Sequence, residues 1–225
     1  GIDLLLEIVF KPLLENGAFK KEYVRQEKDN LIKILQSRQD NKAMYAKERC
    51  IEEMFEGEPY SLYKYGELDK IEEINEKSLY EYYKSLINNS KIDLFISGEN
   101  IDGIELPDIK SSKLQEIKIN HVSHSKIKVV KENLDVTQGK LIIGLNTPEN
   151  DKIATSIYNT ILGGGANSKL FQNVREKASL AYSAGSAYIR RQNTILIQTG
   201  IEINNYDKTL EIIKKQLQEM KNGNI

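Results

Sequence analysis

Residues 162–183 read LGGGANSKLFQNVREKASLAYS, and this stretch contains several local structural signals in succession. The triplet Gly163-Gly164-Gly165 follows a segment with helical spacing at 151–162 and predicts the end of that helix. A second, shorter helix is predicted from Ser168 to Lys177. The residues from Ala181 onward have the pattern of a strand, so the stretch predicts a helix, a glycine turn, a helix and a strand.

Glycine-rich loops also bind phosphate when they follow a strand and end in Gly-Lys-Ser or Gly-Lys-Thr. In this chain no glycine precedes Lys169, and the glycine triplet follows a helix. The residues therefore favour a turn between two helices, in which glycine permits close approach of the backbone.

The segments on both sides of this stretch predict an α+β fold. Residues 1–90 have helical spacing, whereas most of the strand patterns fall in the second half of the chain. Strands grouped apart from helices are typical of α+β domains with mostly antiparallel sheets and helices packed on one face. The predicted helices cover 2–14 (ending near Asn16-Gly17), 20–37, 42–55, a short segment capped by Asp69, a segment capped by Asn75 or Ser78 and running through Leu86, 151–162, 168–177 and 205–221. The predicted strands cover 91–98, 126–131, 140–145, 181–190 and 194–201.

Two consecutive, partial α/β-sandwich domains account for this order of elements. Low apolar density around Pro107, Ser111 and Ser112 predicts a linker at 101–122. We expect the later part of a first, mainly helical domain at 1–100 and most of a second domain at 123–225. Because the helix at 2–14 starts without Met or a cap and the last helix is followed by almost nothing, we expect both ends to be cut from a longer chain.

The composition is that of a soluble globular protein and excludes several functional classes. The 225 residues carry 32 basic and 33 acidic side chains, a net charge of −1, which leaves no basic footprint for nucleic acid. No apolar run approaches the roughly 20 residues that span a bilayer. The single cysteine, Cys50, excludes an internal disulfide framework and a cysteine-based zinc knuckle. We expect no nucleic-acid or membrane partner, and a cytoplasmic location.

Glu27 is the first candidate functional residue. It lies three residues after Val24 and four before Leu31, and on a helix these positions share one face. The spacing therefore predicts a carboxylate on the buried side of the helix, which is costly unless the group is paired or bound to metal. The pattern alone favours the alternative, a position at the edge of the apolar stripe, paired with Arg or Lys.

Arg175 and Tyr182 flank the corner between the short helix and the following strand. A guanidinium and a phenol at such a corner can hydrogen-bond the carbonyl oxygens of an extended peptide. The alternative is an ordinary surface arginine and a half-buried strand tyrosine. His121 and His124, the only histidines, have no carboxylate cluster beside them, and a solvated linker is favoured there over a metal site.

The stretch 162–183 resembles a segment of the pitrilysin/insulinase-type zinc metallopeptidases, which include the mitochondrial processing peptidase group. The shared residues are the LGGG, S-K-LF, VRE-K and LAY elements. A second stretch, FKKEYVRQEK at 19–28, resembles a helix of the same family, and the details at 13–19 are most similar to the bacterial group associated with elongation factor P modification. Pro59-Tyr60, Tyr65-Gly66 and the strand at 92–98 also agree in position, so the resemblance covers nearly the whole chain.

The resemblance implies that two α+β domains pair around a substrate chamber. It also implies a zinc ion held by two histidines of an H-x-x-E-H helix and by a downstream glutamate, which Glu27 matches; zinc would activate water, with the motif's own glutamate as general base. H-x-x-E-H is absent from these 225 residues, so we expect no catalytic residue and no zinc in this chain, and zinc in the parent protein if that protein is catalytic. Arg175 and Tyr182 match residues that contact the substrate backbone and help stabilise the tetrahedral intermediate.

Three functional hypotheses follow. The parent protein is predicted to be a zinc-dependent endopeptidase acting on peptides or unfolded polypeptides, with this chain alone inactive. The alternative is a non-catalytic, substrate-binding subunit of a heteromeric peptidase whose paralogue carries the zinc site, in which case Glu27 is only a structural helix residue. A third reading is a peptide-binding module that acts by edge-strand addition. The expected partners are a peptide substrate and either a catalytic paralogue or a second copy, in a bacterial cytoplasm, and the apolar segment 2–14 is expected to be exposed and to favour self-association.

Overall fold

A computed structural model describes residues 2–99, 127–148 and 151–225. The helices are α1 (Ile2–Phe10), α2 (Lys21–Gln36), α3 (Lys42–Met54), α4 (Leu68–Glu73), α5 (Glu76–Asn89), α6 (Lys152–Gly163) and α7 (Tyr206–Lys221), and a π-helix spans Phe171–Lys177. The strands are β1 (Leu14–Glu15), β2 (Ala18–Phe19), β3 (Gln138–Asn146), β4 (Ala181–Ile189) and β5 (Thr194–Glu202). None of the helices in these ranges combines the length and apolarity that crossing a bilayer requires.

The contacts divide the described residues into two compact units. The first contains 2–36 and 64–99, and the second contains 37–63, 127–148 and 151–225. The second unit includes α3, because this helix packs against β3. The predicted domains at 1–100 and 123–225 stay a prediction, and the predicted linker at 101–122 and both histidines lie outside the described residues.

In the first unit, the predicted helix over 2–14 is wrong in its second half. α1 ends at Phe10, and β1 and β2 pair antiparallel on either side of Asn16 and Gly17. These two residues have φ of 52° and 77°, the positive values that a two-residue type I′ turn requires. Asn-Gly therefore forms a hairpin turn here instead of ending a helix.

The helices that follow the hairpin begin where the sequence signals place them, with one exception. Asn75 caps α5: its side chain accepts hydrogen bonds from the backbone N–H groups of Lys77 and Ser78, and the Ser78 hydroxyl accepts one from the Asn75 N–H. The two candidate caps thus act together as a capping box. Asp69 is not the cap of α4, because that helix begins one residue earlier, at Leu68.

Two predicted strands do not form in the described residues. Segments 91–97 and 127–131 have strand-like alternation but are not part of a strand. Alternation indicates which side chains share a face, and pairing depends on a partner that the local sequence does not specify. In the second segment, Lys128 instead forms ion pairs with the Glu53 and Glu56 carboxylates of the α3 region, at 2.6 and 2.7 Å.

The second unit contains a three-stranded antiparallel sheet in the order β3-β5-β4. The core lies on the face that packs against α6, the π-helix and α7, and β5 is buried along most of its length because it is the central strand. α3 contacts the opposite face, where a Cβ placed on Gly144 would lie 2.4 Å from Met54 Sδ. The predicted α+β class with antiparallel sheets is confirmed. The buried core residues are Leu162, Leu170, Val174, Ala184, Ile195, Ile197, Ile213 and Met220.

Candidate functional site

An open groove of about 430 Å³ lies along β4 in the second unit. Small side chains of β4 form its floor, and residues of α6 and the π-helix form one wall. Both predicted binding residues of this region, Arg175 and Tyr182, line it. The lining residues are Gly163, Phe171, Arg175, Tyr182, Ser183, Ala184, Gly185, Ser186, Ala187 and Gln198.

Tyr182 reaches the groove because β4 is irregular at this point. Ala181 pairs with Ile201 and Ser183 pairs with Gly200, so Tyr182 is an extra residue in a β-bulge. A bulge increases the local twist and changes the direction of the side chain. The Tyr182 side chain is left 52% exposed at the mouth of the groove.

Arg175 lies in the last turn of the π-helix. Its guanidinium carbon is 4.6 Å from the centre of the Phe171 ring, and its Nε is 3.7 Å from a carboxylate oxygen of Glu176. The stacking contact holds the side chain against the wall, whereas 43% of it remains exposed. Single π-turns of this kind occur frequently at functional sites.

The corner between the two residues is compact. The Leu180 N–H donates to the Val174 carbonyl oxygen, and the Ser179 N–H donates to the Arg175 carbonyl oxygen. Ser179 takes a left-handed conformation with φ of 51°. These bonds fix the reversal that brings Arg175 and Tyr182 to one groove; their role in binding stays a prediction.

The predicted glycine turn has a second feature that the sequence pattern did not reveal. Gly163 is still helical, and Gly164 is the C-cap of α6. A Cβ placed on Gly163 would lie 2.3 Å from the backbone nitrogen of Ser186, so α6 packs against β4 at a distance that only glycine allows. The helix end and the strand thereby shape one wall of the groove together.

Several lining residues were not identified from the sequence. Ser183, Gly185 and Ala187 alternate along β4 on one side of the strand, and Gln198 faces the same side from β5. A glutamine directly after the apolar run Ile195–Ile197 was the available signal, because a polar residue in a central strand needs a partner or an opening.

The prediction that Glu27 faces the buried side of its helix is wrong. The stripe of α2 that is at least partly buried contains Val24, Lys28, Leu31, Ile32 and Leu35, and Glu27 is exposed. With 3.6 residues per turn the centre of that stripe lies toward Lys28, which places Glu27 at its edge, the alternative that the pattern alone favoured. Lys28 occupies the inner position and donates to the carbonyl oxygens of Glu72 and Ile74 at the end of α4, at 3.3 and 2.7 Å.

A zinc site cannot be built from the described part of the chain. No group of three or more His, Cys, Asp or Glu side chains in those ranges could hold a metal ion. A catalytic zinc takes three protein ligands, and exposed Glu27 offers one. These residues do not fit the metal on their own.

Sequence comparison finds relatives over nearly the whole chain. Residues 73–225 match the family described as "Peptidase M16 inactive domain". The "Probable inactive metalloprotease YmfF" of Bacillus subtilis is 39% identical over 235 residues, which cover 99% of this chain and 55% of that protein. An "Uncharacterized zinc protease" of Rickettsia bellii is 28% identical over 192 residues, covering 79% of this chain and 45% of that protein. The chain thus spans about half the length of these curated relatives.

Solved structures match the fold over the same extent. A conserved protein from Enterococcus faecalis V583 superposes with a TM-score of 0.86 at 27% identity, covering 100% of this chain and 56% of the other. A structure titled as the peptidase M16 inactive domain from Pseudomonas fluorescens superposes with a TM-score of 0.77 at 20% identity, covering 97% and 55%.

Proposed function

Because this chain belongs to the peptidase M16 inactive-domain family, we propose that it binds an extended polypeptide in the β4 groove and serves as the substrate-binding part of a larger peptidase-like protein. The observation that carries the proposal is the convergence of Arg175, Tyr182 and the β4 backbone on one groove. Catalysis belongs elsewhere, in a paralogue or in another part of the same assembly.

The groove offers the groups that an extended peptide needs. A guanidinium and a phenol donate hydrogen bonds to peptide carbonyl oxygens, and the hydroxyls of Ser183 and Ser186 donate or accept. The small residues of β4 allow a peptide backbone to come close to the strand. Within the described sheet β4 is an outer strand, so binding beside it follows the general mode in which an extended peptide lies along a sheet edge.

A direct test is peptide binding to Arg175→Ala, followed by fluorescence anisotropy with labelled unfolded peptides. We expect affinity to fall about tenfold, since hydrogen bonds from a charged donor contribute roughly 1.5–3 kcal/mol. Arg191→Ala is the matched control, because Arg191 is an exposed arginine outside the groove lining, and it should bind as the unmodified chain does. Equal affinities for the two variants, or no binding of any peptide, would contradict the proposal.

Two observations support the proposal that this chain does not itself hydrolyse peptides. The Bacillus subtilis relative carries the name of a probable inactive metalloprotease, and Glu27 is exposed with no ligand cluster around it in the described ranges. We expect the purified chain to cleave no peptide with or without added zinc. Metal-dependent cleavage by a contaminant-free sample would overturn this assignment.

A second candidate function is that the parent protein is itself a zinc endopeptidase. The name "Uncharacterized zinc protease" of the Rickettsia bellii relative favours it. In that protein Glu27 would supply one zinc ligand and Arg175 would contact the substrate. Glu27→Gln in a full-length parent should then lower the bound zinc measured by elemental analysis, while Glu22→Gln, on the same helix, should leave it unchanged. An unchanged zinc content in Glu27→Gln would remove this candidate.

The partner remains part of the proposal. A non-catalytic binding subunit needs a catalytic paralogue, and a catalytic parent needs none beyond a second copy. Size-exclusion chromatography of the parent protein with and without the paralogue separates the two cases: a joint peak is expected for the subunit, and independent elution would count against it.

A further inference from the structure

The face of the sheet opposite the core has a gap in its central strand at Gly200. Lys140 of β3 and Ser183 of β4 pair in register with Gly200 from its two sides. A Cβ placed on Gly200 would lie 3.2 Å from Lys140 Nζ and 3.2 Å from Ser183 Oγ. The lysine ammonium thus lies across the gap toward β4 instead of extending into solvent, and it lies near enough to Ser183 for one small group to touch both.

This position brings a second positive charge to the groove. Ser183 lines the groove next to Tyr182, and Arg175 is the only charged residue in the described lining. Lys140 belongs to a different strand and was not singled out by any sequence pattern. Because the ammonium group lies over Gly200, the residue that pairs with Ser183, the groove has a lysine beside its Ser183 end as well as Arg175 in its lining.

The acidic groups nearby are engaged elsewhere or only weakly with these cations. The Lys140 ammonium donates to the side-chain oxygen of Gln138 at 3.4 Å, a neutral acceptor. Glu202, which pairs in register with Gln138, accepts from the Asn205 amide at 3.5 Å, and Glu176 is 3.7 Å from Arg175. Lys140 and Arg175 therefore keep N–H donors that an anionic group of a ligand can take, in competition with the Glu202 and Glu176 carboxylates.

We infer that Lys140 and Arg175 make the Ser183 end of the groove a binding site for a carboxylate of the bound peptide. The inference rests on the proposed function, since it adds a preference to the same groove. The carboxylate comes from an acidic side chain or from the peptide C terminus, and both offer two acceptor oxygens to an ammonium, a guanidinium and the Ser183 hydroxyl. Lys140 is thus a specificity residue, and the peptide backbone contacts remain with Arg175, Tyr182 and β4.

The test compares labelled hexapeptides of one neutral sequence with versions that carry a single glutamate, each with either a free or an amidated C terminus. Against the unmodified chain at low salt, we expect a carboxylate to strengthen binding about three- to tenfold, the range expected for a charge-assisted hydrogen bond in a partly exposed site. Comparing the glutamate-containing peptides with the amidated peptides shows whether the side-chain carboxylate or the C-terminal carboxylate is bound. Raising the salt should reduce the preference, because exposed charges are screened.

Lys140→Gln should bind neutral peptides as before and lose most of the preference, whereas Lys140→Arg should retain it. Lys152→Gln, an exposed lysine on α6 outside the groove, is the matched control and should keep the full preference. Unchanged preference in Lys140→Gln, or none in the unmodified chain, would overturn the inference while neutral-peptide binding still supports the proposed function. No binding of any peptide would remove both. A thermal melt of each variant separates lost folding from lost binding, and Lys140→Arg keeps the test informative if Lys140→Gln is unstable.

Discussion

Gly163 is the residue on which the shape of the groove depends most directly. It lies at the end of α6 where the helix meets the backbone of Ser186 in β4, and no side chain fits between them. The sequence indicated a glycine turn but could not distinguish the three glycines. Gly163 differs from Gly165 in its packing against the strand. A Cβ placed on Gly165 would meet nothing within 4 Å.

We predict that Gly163→Ala is destabilised by about 1–3 kcal/mol, because the added methyl group meets backbone atoms that cannot rotate away. Gly165→Ala is the matched control and should change the free energy of unfolding by less than about 0.5 kcal/mol. Urea denaturation followed by circular dichroism gives both values. If Gly163→Ala is as stable as Gly165→Ala, the close approach of α6 to β4 is wrong.

Among the candidate site residues, local pattern alone gave mixed results. Arg175 and Tyr182 line one groove as neighbours of a helix–strand corner, because their separation in sequence is short and the corner is fixed by local hydrogen bonds. Glu27 is exposed and Lys28 faces inward, because successive side chains point about 100° apart around a helix and the packing of neighbouring elements sets which of them faces inward. Lys140 was not among the candidates, because its position at the groove depends on Gly200, which lies two strands later in the chain.

At the scale of elements, residues 127–132, after the predicted linker, are held to α3 by ion pairs and hydrogen bonds instead of forming a strand. Glu132 accepts hydrogen bonds from Arg49 and Tyr45 of α3, at 2.7 and 2.9 Å, and Lys128 pairs with Glu53. The hydrogen bond from Arg49 lowers the pKa of Glu132, and the one from Lys128 lowers the pKa of Glu53. The segment is therefore held to α3 in a way that depends on pH.

The direction follows from proton binding. Both carboxyl groups bind protons less readily in the folded state than in the unfolded chain, so their contribution is fully present above the usual value of 4.5 and is lost as the pH falls through the lowered folded values. We predict that the contribution of these two groups to the free energy of unfolding is constant between about pH 5 and pH 7 and declines at lower pH.

Glu132→Gln isolates this contribution. At pH 7 it should be less stable than the unmodified chain by under about 1 kcal/mol, since the pair is partly exposed, and the difference should disappear in acid. Glu73→Gln, from the exposed pair with Lys70, should be indistinguishable from the unmodified chain at every pH. If the difference in stability between Glu132→Gln and the unmodified chain stays constant as the pH falls, the ionisation of Glu132 does not contribute to stability.

The elements themselves were predictable to different degrees. Helices with long apolar stripes, such as α2, α3, α6 and α7, form where the sequence placed them. The Asn-Gly pair was misread because it ends helices and turns hairpins with the same left-handed geometry. The strands predicted at 91–98 and 126–131 do not form over their described residues, because a strand requires a neighbour that local alternation does not reveal.

At the scale of the whole molecule, the family resemblance drawn from residues 162–183 and 19–28 is confirmed by the M16 match and by the Bacillus subtilis relative, and the solved structures confirm the fold. Motifs could identify the family because they combine turn, packing and groove residues in one run. They could not assign activity, because the two matching runs contain no complete set of metal ligands.

The apolar surface of α1 is the second feature at this scale. The helix has no buried residue, and Leu4 and Ile8 are 61% and 68% exposed. The exposed surface expected from the sequence is thus present, although Tyr83 of α5 donates a hydrogen bond to the Val9 carbonyl oxygen. Exposed apolar side chains grouped on one helix favour association.

We predict that the chain self-associates through α1 and that Ile8→Glu shifts it toward monomer in sedimentation velocity. Leu62→Glu, which changes an exposed leucine outside α1, is the control and should leave the distribution unchanged. A monomeric unmodified chain, or an equal shift in both variants, would contradict the prediction.

The proposed function requires that an extended polypeptide binds along β4. Hydrogen–deuterium exchange of the chain with and without a saturating unfolded peptide tests it most directly. Binding along β4 predicts slower exchange in 181–187 and at the Arg175 corner, with β1, β2 and α5 unaffected. Unchanged exchange in β4 under conditions where anisotropy reports binding, or protection centred on another element, would contradict it.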